Sequence, residues 1–154
     1  MKYIILFLSF CTVAFAQFEA APSYQPYNLS FENAVVGAMP SRWSLPEQDK
    51  EKGYYAEATV TKPFDGKYCM SLARPLDSSG TENVSGTAVQ SFDASQYIGK
   101  KVRFTAHIRA EIEGVGHAGF YISERTFDNQ YPFLNTNEDN PIVFNTWESY
   151  SVEH

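Results

Sequence analysis

Residues 102–111, VRFTAHIRAE, constrain the fold more than any other stretch of the chain. Val102, Phe104, Ala106, Ile108 and Ala110 fall on one side of an extended backbone, and Arg103, Thr105, His107, Arg109 and Glu111 on the other. A helix returns its apolar residues roughly every 3.6 positions, whereas a strand with one buried face alternates strictly. This segment is therefore expected to be a strand laid on a core by its even-numbered residues. Aromatic content of 16% with charge at 19%, and 8 Pro and 9 Gly spread along the chain, fit short strands separated by many turns.

The rest of the chain reads in the same way. NLSFE (28–32) is expected to be a short strand, with Leu29 and Phe31 on one face. AVVGAMPSRW is a turn region ending on Trp43, and LPEQDKEKG (45–53) a charged, exposed loop. YYAEATVT (54–61) reads as a strand stopped at Lys62-Pro63, PFDG (63–66) as a turn, and KYCMSLAR (67–74) as the next strand. TAVQSFDA (87–94) is a further strand. EGVG (113–116) is expected to fold residues 102–112 back on HAGFYISERTF (117–127) as a hairpin. NQYPFLNTNEDNP (129–141) is expected to be a long loop, and PIVFNTWESYSV (141–152) one or two strands. No helix of ten residues is evident. The expected architecture is all-β, an antiparallel β-sandwich of jelly-roll type.

The N-terminus has a different texture. Lys2, an apolar run from Tyr3 to Phe10 broken by Ser9, and Ala14-Phe15-Ala16 before Gln17 make the three-part pattern of a signal peptide. The run is shorter than the ~20 residues that span a bilayer. The expected organisation is a signal peptide over 1–16, a flexible arm over 17–27 and one module over 28–154. The expected address is outside the cytoplasm: periplasm, cell surface or medium. Cleavage leaves Cys69 without a partner, so no intramolecular disulfide is expected. Asn28-Leu29-Ser30 and Asn83-Val84-Ser85 are glycosylation sequons, relevant where the producer modifies such sites. A net charge of −6 argues against nucleic acid or an anionic membrane surface as partner.

Several pieces taken in order resemble the galactose-binding-like jelly roll found ahead of hydrolase domains in secreted bacterial proteins. They are NLSFEN (28–33), MPSRW (39–43), DGKYCMSL (65–72), YIGKKVRFTAHIRAE (97–111), AGFYIS (118–123), FDNQ (127–130) and TWESYSV (146–152). Similar segments precede C-terminal-processing-type serine peptidase domains and lie near erythromycin-esterase-like domains; carbohydrate-binding modules share the fold. The resemblance implies a non-catalytic accessory module that binds a glycan or peptide, or positions a neighbouring hydrolase domain; a structural or surface-adhesion domain without a small ligand is the alternative. It also implies further strands after TWESYSV. The chain is thus expected to be a fragment incomplete at its C-terminus, or a compact variant whose open edge is covered by the N-terminal arm or a partner. Modules of this type often hold a structural calcium, and Glu32 and Asp65 stand at positions that can contribute oxygens to it.

The residues themselves offer no catalytic constellation: no G-x-S-x-G, H-E-x-x-H, paired-cysteine or P-loop pattern occurs. They call for no cofactor. Arg103, His107 and Arg109 share a strand face and are candidates to line a polar ligand groove; a solvated sheet face explains them equally well. His107 and His117 would meet across the expected hairpin, with Asp128 nearby, as a metal site, an acid–base pair or plain surface histidines. A ring face suits the apolar C–H face of a sugar, which makes Trp43, Tyr54, Tyr55, Tyr121, Tyr131 and Trp147 candidate platforms. Part of that set must belong to the core. Tyr121 and Tyr131 join the three strand residues as candidate ligand contacts, and Tyr131 and Phe133, in the long polar loop, are the best placed for exposure.

Overall fold

A computed structural model defines the fold and describes residues 25–75, 84–112, 116–124, 133–136 (backbone only) and 139–153. The signal-peptide segment, most of the arm, Asn83, Asp128 and Tyr131 lie outside the described residues.

The described chain is mostly strand with little helix. A short helix α1 (Glu47–Glu51) is followed by β1 (Tyr55–Thr59), β2 (Cys69–Ala73), a 3-10 turn (Ser95–Tyr97), β3 (Arg103–Ile108), β4 (Tyr121–Glu124), β5 (Phe133–Thr136) and β6 (Glu148–Glu153). The strands pair antiparallel as β1–β2, β3–β6 and β4–β5. The β1–β2 hairpin runs from Tyr55 opposite Ala73 to Thr59 opposite Cys69, and turns through Lys62-Pro63-Phe64-Asp65-Gly66 as its residues suggest.

The strand expected over 102–112 forms only as β3, Arg103–Ile108, with the expected faces: odd-numbered residues are exposed and even-numbered ones partly buried. Its partner differs from expectation. β3 pairs with β6, Arg103 opposite Glu153 through Ile108 opposite Glu148. Cross-strand chemistry outweighs sequence proximity here. Tyr150 and Val152, 5% and 3% exposed, stand opposite Ala106 and Phe104 on the buried side. On the outer side Arg103 pairs with Glu153, and the hydroxyls of Thr105 and Ser151 share a hydrogen bond at 2.7 Å. β4, expected to return along β3, pairs instead with β5, which lies inside the segment read as a long loop.

The core forms where β3 and β6 meet the segment before β6. Ala110, Ile142 and Tyr150 are buried together, with Ile108, Ile112, Ala118 and Phe120 packed against them. Ile142 is fully buried and exchanges two backbone hydrogen bonds with Ala118, at 2.9 and 3.0 Å. Phe104 leans on Phe120 at a ring separation of 4.9 Å.

Three further expectations change. NLSFE is a turn, not a strand. The Asn28 side chain accepts from the Asn33 N–H and donates to the Asn33 carbonyl, at 2.9 and 2.8 Å, and Asn28 and Phe31 take φ of 52° and 62°. Asx hydrogen bonding of this kind competes with strand pairing and wins where the alternation is only four or five residues long. The charged loop 45–53 contains α1 and buries Asp49, 3% exposed. Its carboxylate pairs with Lys52 at 3.0 Å and accepts from the Thr87 N–H at 3.0 Å, which satisfies a charge that would otherwise be costly to bury. TAVQSFDA is no regular strand; Val89 makes a two-bond bridge with Ser44.

Candidate binding site

The outer face of β3 gathers an aromatic cluster. Continuing the β3–β6 register would bring Ala110 opposite Thr146. The Ala110 N–H instead donates to the Phe144 carbonyl at 2.8 Å, so Asn145 and Thr146 are looped out just before Trp147. A bulge of this kind re-aims the side chains around it. Asn145 Oδ1 accepts from Arg109 Nη1 at 3.0 Å, and the Arg109 guanidinium lies over the Trp147 ring, 5.7 Å from its centroid.

The β1–β2 connection supplies the other half. Lys62, held before Pro63 at φ 51°, accepts the Trp147 indole N–H on its carbonyl at 3.1 Å. Two residues on, the Phe64 ring lies flat on His107, with centroids 3.7 Å apart and planes 9° from parallel, and meets Trp147 at 6.0 Å and 64°. Phe64 is 52% exposed, so with one face on His107 the other is open to solvent. Ser149 opposite His107 is small, which leaves the imidazole face clear for Phe64.

The cations on and beside β3 are paired, and the Lys62 charge also acts on Glu111. Arg109 pairs with Glu111, and Lys101 and Arg103 share Glu153. The hydrogen bond and charge of Arg109, aided by Lys62, hold the Glu111 carboxyl below its ordinary value. Burial pushes the Cys69 thiol up, with the Arg109 charge acting in the opposite direction.

The candidates named from sequence divide. His107 and Arg109 belong to the cluster, and so does Trp147. Arg103 sits on the same face but at the end of β3 that faces Glu153. Tyr121, 41% exposed, stands on β4 in a different sheet. Tyr54 is not a free platform: its hydroxyl donates to the Val84 carbonyl, and Gly86 packs so closely on its ring that a Cβ there would overlap it. Trp43 meets Phe31 in a tilted pair, with ring centroids 5.5 Å apart. Ser149, rather than His117, stands opposite His107 in the strand pair that forms.

Glu32 and Asp65 both act on the 63–68 turn. Glu32 Oε1 accepts from the Lys67 and Tyr68 N–H groups at 2.9 and 3.0 Å, and Asp65 Oδ1 accepts from the Gly66 N–H at 2.9 Å. A hard cation asks for six to eight oxygens. Among the described residues no group of three or more His, Cys, Asp or Glu comes together.

Phe64 was not legible as a site residue. It reads as part of an Asp-Gly turn, and nothing local says that this turn folds over β3. Its sole signal is a large apolar residue at a turn tip, where burial in a core is unexpected.

No helix among the described residues is long and apolar enough to cross a membrane. Comparison with known protein families, curated proteins and solved structures gives no match.

Proposed function

We propose that the chain is an exported, non-catalytic binding module of β-sandwich, jelly-roll type, and that it holds a glycan on the outer face of β3 and β6. The observation that carries this reading is the solvent-facing ring of Phe64, seated on His107 beside Trp147. An exposed aromatic face offers a sugar's C–H surface a dry contact, while Arg109, Asn145 and His107 supply donors and acceptors around it. The antiparallel β3–β6 ladder makes a stiff base for such a surface.

Glycan-array screening of the purified protein tests the reading. Binding that is lost in Phe64→Ala, with the melting temperature nearly unchanged, is the expected result. No glycan retained by the wild-type protein would leave a structural or adhesive domain instead.

A further inference from the structure

We infer that this site takes a single ring of a neutral, soluble glycan, rather than the flat face of a crystalline polysaccharide or an acidic sugar chain. The inference rests on the glycan-binding reading above and follows from two geometric facts.

The first is the angle between the rings. A crystalline polysaccharide presents a plane, and a protein grips it with aromatic rings lying in one plane. Phe64 and Trp147 meet at 64°, so they cannot both lie flat on a common surface. They form a corner, with Phe64 as one wall and Trp147, under the Arg109 guanidinium, as the other. His107, parallel to Phe64 at 3.7 Å, lies behind that wall and extends no platform sideways. A corner receives one ring that enters from solvent. The indole N–H that fixes Trp147 is spent on the Lys62 carbonyl at 3.1 Å, which holds the angle.

The second is the charge. The guanidinium beside Trp147 is matched by Glu111, and the cations at the far end of β3 by Glu153. A uronate carboxylate would have to displace an existing partner of Arg109, whereas a neutral hydroxyl can share the outer edges of the Asn145 amide and the Arg109 fork without breaking either pair.

Affinity electrophoresis and pull-down with the full-length secreted product provide the test. The panel is soluble xylan, galactan and mixed-linkage glucan, against polygalacturonate and microcrystalline cellulose and chitin. Retardation by at least one neutral soluble polymer, unchanged between low and high salt, is expected. Phe64→Ala should weaken it about tenfold, equivalent to ~1.4 kcal/mol. Sedimentation with the crystalline polymers, or salt-sensitive binding to polygalacturonate alone, overturns the inference but leaves glycan binding standing. Binding to none of them overturns both.

Discussion

Gly66 shows how one backbone conformation anchors the hairpin that carries Phe64. It takes φ +69°, and a Cβ built there would overlap Glu32 Oε1, whereas Gly99 takes φ +70° with nothing within 4 Å of the same position. The two glycines share a conformational demand and differ in surroundings. Gly99→Ala should therefore cost only the left-handed strain, about 1–2 kcal/mol, and Gly66→Ala visibly more. Urea denaturation of both variants measures the difference. Adding Glu32→Ala to Gly66→Ala should recover part of it, because the clash goes with the carboxylate; equal losses in the two single variants would refute the close approach. Cys69 offers a second check at this scale. With its thiol raised by burial, it should react with a thiol-specific reagent at pH 8 more slowly than free cysteine, and at the free rate in denaturant.

At the scale of elements, β3 was readable because its alternation leaves no competing pattern, and its inner and outer faces follow the sequence. Its pairing with β6 was not readable, since a single strand's pattern says which face is buried but not which strand lies alongside. The matched pairs Arg103–Glu153 and Thr105–Ser151 lie 50 and 46 residues apart, and neither is visible as a local signal. The turn at 28–33 and helix α1 were missed for a related reason: Asn28 and Asp49 reach backbone groups that the sequence does not place. The β3–β6 pairing carries a pH prediction. Hydrogen bonds from Lys101 and then Arg103 hold the Glu153 carboxyl below its ordinary value. A carboxyl lowered on folding stabilises the fold above its unfolded value of about 4.3, and that contribution disappears as the pH falls through the lowered folded value. Melting temperature should therefore drop on acidification through this range, and the drop should be shallower in Glu153→Gln. Phe104→Ala, which removes a half-buried ring from the inner face, should cost about 2–3 kcal/mol, below the full range for a buried phenylalanine. His107→Ala, on the outer face, should cost clearly less.

For the molecule as a whole, the sheets are joined by few but specific ties, and those ties decide whether it unfolds as one body. Ile142, fully buried, bridges the segment leading to β4 and packs with Ala110 and Tyr150 under β3 and β6. The hairpin β1–β2 is tied to the same sheet from the other side, through the Lys62 carbonyl on Trp147 and the stack of Phe64 on His107. Ile142→Ala removes a side chain with no exposed surface, so it should cost about 2–5 kcal/mol. A domain of this size has only about 5–15 kcal/mol in hand, so the loss should be large enough to bring global opening into reach of hydrogen exchange. If the ties make one cooperative unit, amide protection in Ile142→Ala should fall by the same free energy in β1 and β2 as in β3 and β6, although the core around Ile142 lies under β3 and β6. The wild-type order should place the β3 and β6 amides among the slowest to exchange, since the buried side chains cluster beneath them. Protection in β1 and β2 that stays at its wild-type value while β3 and β6 weaken would show two separately opening units. The corner between Phe64 and Trp147 would then span a joint between them rather than sit on one rigid body, and its angle would no longer be fixed.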